Sequence, residues 1–253
     1  MLELLSPVAG TEDVIAAVQS GADSVYLRFG SNAVPAFSKG ELQKVIRYCR
    51  VRGCLAYVEL NTILSDAEIP AACELAKLSA ESGASAIIVQ DLGLIPILKA
   101  LLPDIKIFAG ERLGIHNIAG IEALAQLGVS RVFLPREMSG YEISSLAKRV
   151  GTELAVVVFG EICAARSGTC YLPSLSKNKS CNRGDCDRDC RGEFSLGGRM
   201  EEHPMRFNDV SLLNHIPELL RTEVACVAIG TNVDVPEKNA LLTSVLRRCI
   251  DSA

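Results

Sequence analysis

The sequence predicts an α/β protein folded as a TIM-type (β/α)8 barrel with a long cysteine-rich loop after strand 7. Short apolar runs rich in Val, Ile and Leu alternate eight times with longer segments whose apolar residues recur at helical spacing. The length of 253 residues also suits such a barrel, which typically has roughly 250 residues. Eight alternating units favour a closed barrel over an open doubly wound sheet, which usually has five or six strands.

The eight candidate strands are short and apolar, as expected for a parallel sheet that is buried on both faces. They span residues 2–5, 24–27, 55–60, 86–90, 106–109, 131–134, 153–159 and 225–229. The candidate helices begin near Thr11, Ser38, Asp66, Leu92, Asn117, Gly140, Val210 and Glu237.

Start and stop signals support several of these helices. Thr11, Ser38 and Asp66 each precede acidic residues in the order expected of a helix N-terminus. Glycines that follow periodic segments predict left-handed residues that end the helices. These glycines are Gly21, Gly53, Gly83, Gly128 and Gly151.

The chain shows no linker or low-complexity tract, so we expect a single barrel domain over residues 1–253 with a cysteine-rich insertion at about 161–207. The apolar period disappears between Cys163 and about Phe207, which predicts a long connection without regular structure. Such connections are usually functional, and this one follows the carboxyl end of a strand, where barrel active sites form.

Composition limits the class of protein. With 49% hydrophobic and 22% charged residues, the chain has the composition of a globular protein with a sizeable core. Its net charge of −4 argues against non-specific adhesion to nucleic acid or anionic membranes. No secretory signal and no long uncharged apolar run is visible, so we expect a cytoplasmic protein without membrane insertion.

Four cysteines with the spacing C-x6-C-x15-C-x3-C predict a metal centre in this loop. They are Cys163, Cys170, Cys186 and Cys190, with Cys181 as a fifth candidate ligand. Thiolates at one site suit either tetrahedral zinc or an iron–sulfur cluster, and the spacing alone leaves both possible, with a metal-free thiol-rich loop as a third alternative. The other five cysteines lie among apolar residues and predict packing roles. These are Cys49, Cys54, Cys73, Cys226 and Cys249.

Polar residues at the carboxyl ends of the predicted strands form a candidate site for a small anionic or hydroxylated substrate. They are Arg28, Glu59, Asn61, Gln90, Asp91, Glu111, Arg112, Arg136, Glu137 and Glu161. For each of them, a salt bridge or helix cap is an equally good interpretation. The candidate catalytic residues are Glu59, Asn61, Arg136 and Glu137.

Familiar hydrolase signatures are missing from the sequence. It contains neither an H-E-x-x-H pair nor a G-x-S-x-G elbow. A cysteine nucleophile assisted by His116 or His203 is a further alternative, although a lone histidine is more often structural.

Motifs along most of the chain resemble the peptidase U32 family, also called collagenase-like. The resemblance implies a [4Fe-4S] cluster on Cys163, Cys170, Cys186 and Cys190, because the four-cysteine spacing is the family's cluster-binding pattern. The motifs are LLSP-x-AG at 4–10, GADSVYL at 21–27, LN at 60–61, LGVSRVFLPRE at 127–137, SGTC at 167–170 and NRGDC at 182–186.

The resemblance also implies several functions. Members of the family take part in oxygen-independent hydroxylation of ubiquinone precursors or of RNA bases, with prephenate as the implied oxygen donor, while others are described as collagen-degrading peptidases. A bare barrel is most similar to the short ubiquinone-biosynthesis members, which act as a heterodimer of two U32-like chains. We therefore expect hydroxylation of a small aromatic or quinone precursor, with RNA-base (tRNA or rRNA) hydroxylation, peptidase activity and a structural zinc protein as alternatives.

The chain departs from the family at the barrel mouth. Phe159-Gly160 replaces a usual His-Gly pair, residues 228–232 replace a KIEGR-like stretch, and residues 109–111 replace an STQ-like segment. The resemblance therefore supports the cluster more directly than it supports any substrate.

Overall fold

The computed structural model describes residues 2–29, 38–163, 170–183, 186, 189–202, 210–230 and 236–253. Its strands are β1 (Glu3–Val8), β2 (Ser24–Phe29), β3 (Leu55–Leu60), β4 (Ala86–Val89), β5 (Lys106–Ala109), β6 (Val129–Phe133), β7 (Glu153–Gly160), β8 (Glu193–Leu196), β9 (Arg199–Glu202), β10 (Val210–Ser211) and β11 (Cys226–Ile229). Its helices are α1 (Thr11–Gln19), α2 (Lys39–Val51), α3 (Ile69–Glu81), α4 (Leu94–Leu101), α5 (Ile118–Gln126), α6 (Gly140–Ala147), α7 (Leu172–Lys177), α8 (Ile216–Leu219) and α9 (Pro236–Asp251).

Strands β1 to β7 and β11 form a closed parallel barrel, which confirms the predicted fold. Each strand pairs with the next, and β11 closes the ring by pairing with both β7 and β1. The helices cover the outside of this ring. No helix within the described ranges is long and apolar enough to cross a membrane.

Two apolar layers follow from the alternation of side chains along each strand. One set points into the barrel, where Tyr57 and Phe108 pack edge to face with ring centroids 5.1 Å apart. The other set points outward and packs under the helices, as Leu4 and Val58 do. Both layers are almost fully buried, so the barrel interior is a packed core rather than a channel.

A charged network closes the amino-terminal end of the barrel. Arg131 is 5% exposed, and its guanidinium donates to Glu3 at 2.8 Å and to Glu153 at 2.8 Å. The same guanidinium stacks over the Phe108 ring, 4.6 Å from its centroid. Tyr57 donates a further hydrogen bond to Glu3 at 2.7 Å. This end of the barrel is therefore fixed by packing and ion pairs.

The structure corrects several local predictions. No helix begins at Val210, because this residue enters the short strand β10, which runs antiparallel to the end of β7. The predicted irregular loop contains α7 and the β8–β9 hairpin. Gly151 does not adopt the left-handed conformation, whereas Gly21, Gly53, Gly83 and Gly128 do.

The helix start predicted near Thr11 is confirmed, since α1 begins at that residue, but at two of the three predicted starts the capping contacts differ from those expected. The structure confirms Ser38, whose hydroxyl accepts from the Glu41 amide in a capping box. Thr11 is inside α1 and caps nothing; instead, Asp13 accepts a hydrogen bond from the Ala9 amide. Before α3, the reciprocal contact is between Ser65 and Glu68, and α3 begins only at Ile69.

Candidate functional site

Three polar side chains occupy the last inward-facing positions of neighbouring strands at the carboxyl end of the barrel. Arg28 and Glu59 are paired in register on β2 and β3, and the Arg28 Nε lies 3.4 Å from the Glu59 Oε2. Gln90 follows β4 and donates to the Glu59 Oε1 at 2.9 Å. Glu59 is 9% exposed, and Gln90 is 3% exposed. Alternate side chains of a strand point to the same face, and this pattern correctly predicted that the three side chains lie together.

Gln90 also organises the next loop. Its Oε1 accepts from the Arg112 amide at 3.0 Å, while the Arg112 guanidinium donates to the Asn61 carbonyl at 3.0 Å. Gly110 makes this arrangement possible, because a Cβ there would lie 2.0 Å from the Gln90 Nε2. The glycine thus leaves the space that the Gln90 amide occupies.

Replacing Gly110 with alanine is expected to destabilise the mouth of the barrel. The Gln90 amide occupies the space that the new methyl group would take, so the substitution would displace it from Glu59 and Arg112. We expect the free energy of unfolding to fall by about 2–4 kcal/mol, from overpacking and two lost hydrogen bonds.

Denaturant unfolding measures this effect, and Gly140→Ala is the matched control. A Cβ at Gly140, in the first turn of α6, meets no atom within 4 Å. We expect that variant to stay within about 0.5 kcal/mol of the wild type. Equal stabilities of the two variants would contradict the role of Gly110.

Arg136 lies across the same end of the barrel. Its guanidinium binds the Glu111 carboxylate through two hydrogen bonds of 2.8 Å and donates a third, of 2.6 Å, to the Glu161 carbonyl. It passes close to two glycines, since a Cβ at Gly230 would lie 3.0 Å from the Arg136 Nη1 and one at Gly160 would lie 3.2 Å from it. The absence of a side chain at Gly160 and Gly230 thus leaves room for the Arg136 guanidinium.

A small cavity of about 30 Å³ lies between these groups. Glu59, Glu111, Arg136 and the Tyr26 ring line it, together with apolar side chains of the barrel. The Tyr26 hydroxyl donates to the Ile229 carbonyl at 2.9 Å, and burial raises the pKa of this phenol well above its usual value. A space of this size admits one or two water molecules, so a larger reactant has to bind above it.

Two buried acceptors at this mouth have no hydrogen-bond partner within the described part of the chain. They are the Glu59 Oε2, whose nearest cation is Arg28, and the Asn61 Oδ1. Asn61 is 4% exposed. Unsatisfied buried acceptors cost free energy, and such groups are concentrated at functional sites.

Two predicted mouth residues have other partners. Glu137 contacts His116 at 3.1 Å, is 52% exposed and does not line the cavity. Asp91 accepts from the backbone amides of Leu64 and Leu94. Of the four candidate catalytic residues, the structure therefore brings Glu59 and Arg136 together at the cavity, while Asn61 is linked to the mouth through its carbonyl and Arg112, and Glu137 lies apart.

The cysteine-rich loop is anchored over the mouth by backbone and side-chain contacts. The Ile63 amide, just after β3, donates to the Asn182 carbonyl at 3.4 Å. Lys177 at the end of α7 contacts Asp189 at 2.6 Å, which ties that helix to the turn containing Cys190. These contacts join segments that are distant in sequence, and nothing in the local pattern predicted them.

Cys190 lies within electrostatic range of the other three predicted ligands. Desolvation raises the pKa of the Cys190 thiol, and charge on Cys186, Cys163 or Cys170 raises it further. Desolvation also raises the pKa of Cys163, while the Arg136 guanidinium opposes that shift. Within the described ranges, no three Cys, His, Asp or Glu side chains are spaced to hold a metal ion.

Cys181, the fifth candidate, lies beside this set. It is 9% exposed, and a side-chain hydrogen bond with Cys186 is the largest cause of its raised pKa. The loop therefore gathers five thiols, and thiolates are donors that suit iron–sulfur clusters and zinc. His203, the possible partner of a cysteine nucleophile, lies outside the described residues.

The remaining five cysteines pack in the core, as predicted. Cys49, Cys54 and Cys226 are buried, and Cys73 and Cys249 are partly buried against the outer apolar layer. Cys49 and Cys54 also share a side-chain hydrogen bond, which the sequence did not indicate.

A family model, several known proteins and solved structures are similar to this chain. The family model described as Peptidase family U32 matches residues 10–253. The 23S rRNA 5-hydroxycytidine C2501 synthase of Escherichia coli K12 is 31% identical over 198 residues, which cover 77% of this chain and 30% of that protein. The tRNA hydroxylation protein P1 of Bacillus subtilis 168 is 25% identical over 267 residues, which cover 99% of this chain and 63% of that protein.

The chain thus spans between about a third and two thirds of the length of these two relatives. Among solved structures, the U32 peptidase Mk0906 superposes with a TM-score of 0.61 at 14% identity, covering 90% of this chain and 92% of that one. At this identity the likeness supports the barrel fold alone.

Proposed function

Because this chain belongs to the peptidase U32 family, we propose that it takes part in hydroxylating an RNA base with the help of a [4Fe-4S] cluster. The ligands would be Cys163, Cys170, Cys186 and Cys190. The observation that carries the proposal is that Cys190 lies within electrostatic range of the other three cysteines, and that Cys163 does so of Arg136 and Glu111 at the polar end of the barrel. The two relatives named for RNA hydroxylation favour an RNA substrate over the quinone precursor expected from the length of the chain.

The cluster would supply electron transfer, and the protein groups beneath it would bind and orient the reactants. Glu59 and Asn61 each have a buried acceptor available for an amino or hydroxyl donor. Nucleobases carry such donors, for example the exocyclic amine of cytosine. Arg112 and Arg136 place positive charge beside Cys163, which partly offsets the desolvation that raises the pKa of this thiol.

The loop also presents an exposed ring suited to RNA. Tyr171, directly after Cys170, is 73% exposed, and Leu175 on α7 is 83% exposed. Single-stranded RNA is commonly bound by stacking bases on aromatic rings of this kind. This chemistry does not require a strongly basic protein, so it is compatible with the net charge of −4.

Replacing Tyr171 with alanine is expected to weaken binding of single-stranded RNA by roughly 5-fold to 150-fold, because one base–ring stack contributes about 1–3 kcal/mol. Fluorescence anisotropy at fixed salt measures the dissociation constant. Mass spectrometry of the RNA after anaerobic incubation, with prephenate supplied as the implied oxygen donor, measures hydroxylation.

Tyr141→Ala is the matched control, since Tyr141 is 84% exposed but lies on α6, outside the cysteine-rich loop. We expect it to bind RNA as the wild type does. Modification of a quinone precursor without modification of RNA would reject the proposed substrate. Zinc in place of iron and sulfide on elemental analysis would reject the cluster.

A further inference from the structure

One ion pair joins the residues that flank the first and the last of the four predicted cysteine ligands. Glu161 lies two residues before Cys163, and Arg191 directly follows Cys190. The Arg191 Nη1 lies 2.8 Å from the Glu161 Oε1, with side-chain exposures of 30% and 16%. The pair is therefore shielded from solvent more than an ordinary surface pair, which contributes little.

The backbone of Glu161 is also fixed by a hydrogen bond from the barrel mouth. Its backbone carbonyl accepts from the Arg136 Nη1 at 2.6 Å, and Arg136 is itself fixed by the two hydrogen bonds to Glu111. A continuous chain of contacts thus runs from the barrel wall through Glu111, Arg136 and Glu161 to Arg191. It connects the first and the last cysteine of the quartet to the same rigid support.

We propose that Glu161 and Arg191 form a clamp that positions Cys163 and Cys190 for cluster binding; this inference rests on the proposed function. The two cysteines are 27 positions apart (190 − 163), so bringing them together costs chain entropy. A contact already present in the metal-free protein reduces that cost. Glu161 and Arg191 are positioning residues, because they act through the ligands and not on the substrate.

The test compares Glu161→Gln, Arg191→Gln and the double variant. The measurement is the rate at which an iron chelator removes the cluster from anaerobically reconstituted protein, followed by its visible absorbance. Each single variant is expected to lose the cluster about tenfold faster, as a charged hydrogen bond is lost. The double variant should be no faster than the faster single variant, because both changes remove the same contact. Glu161→Gln retains the backbone carbonyl that Arg136 binds.

A second measurement does not depend on the cluster. In the metal-free full chain, amide hydrogen exchange at residues 160–163 and 189–192 should be faster in all three variants than in the wild type. Glu74→Gln is the matched control, since its carboxylate also contacts a cation, Lys77, at 2.8 Å but lies on α3. This control should match the wild type in both measurements.

The outcomes separate the two proposals. A wild type that takes up no iron contradicts the proposed function, while hydrogen exchange still tests the clamp. Iron uptake with unchanged cluster loss in the variants overturns the clamp, whatever the exchange rates. Additive effects of the two substitutions also overturn it, because they would show that Glu161 and Arg191 act separately.

Discussion

Replacing Cys163 or Cys186 with serine is expected to remove most of the iron that the reconstituted wild type binds. A serine hydroxyl is a much poorer ligand than a thiolate for an iron–sulfur cluster, and three ligands hold the cluster weakly. Iron and sulfide analysis together with the visible absorbance spectrum measures the loss. Any hydroxylation activity should fall in parallel.

The control for this prediction is Cys249→Ser. Cys249 packs against the outer apolar layer on α9, far from the loop in sequence, so its replacement should leave the iron content unchanged. Both Cys163 and Cys186 are exposed, so their serine variants should unfold at the wild-type temperature when metal-free. Full iron retention in both variants would refute the ligand assignment.

Replacing Arg131 with methionine is expected to lower the free energy of unfolding by about 3–5 kcal/mol. The substitution leaves the carboxylate of Glu3, whose side chain is 14% exposed, without its cation. It also removes the stacking contact with Phe108. Denaturant unfolding at neutral pH measures the change, which is a large part of the total stability of a typical domain.

A second substitution tests the cause of this loss. Adding Glu3→Gln to Arg131→Met removes the uncompensated charge and should recover part of the lost stability. Lys77→Met breaks an exposed ion pair on α3 and should change stability little. An Arg131→Met protein as stable as the wild type would show that the network does not support the barrel.

The spacing of apolar residues predicted most of this fold, because the period of each strand or helix is visible in its own segment of the sequence. Alternation along β2 and β3 placed Arg28 and Glu59 at the mouth, and the spacing of the four cysteines located the loop that covers it. The helix predicted at Val210 was wrong, because pairing with the end of β7 determines the conformation there. That pairing is a tertiary contact and leaves no local signal.

The contacts that organise the site are also tertiary contacts, so the sequence did not indicate them. Glu161 and Arg191 are 30 positions apart (191 − 161), and neither position marks the other as its partner. Asp91 shows the converse, since a carboxylate after a strand suited either a substrate contact or a helix cap, and it accepts hydrogen bonds from backbone amides. Arg131 could have indicated the buried charged network, because an arginine in an apolar strand needs a buried partner. This network was not predicted from the sequence.

The network around Arg131 closes the amino-terminal end of the barrel. With that end filled by Arg131, Glu3 and Glu153 in the described part of the chain, a molecule reaching Glu59 enters from the opposite end, where Arg136 binds the Glu161 carbonyl. Under the proposed function, a small co-reactant and the RNA share this entrance. We therefore expect ordered binding, in which the small molecule binds before the RNA.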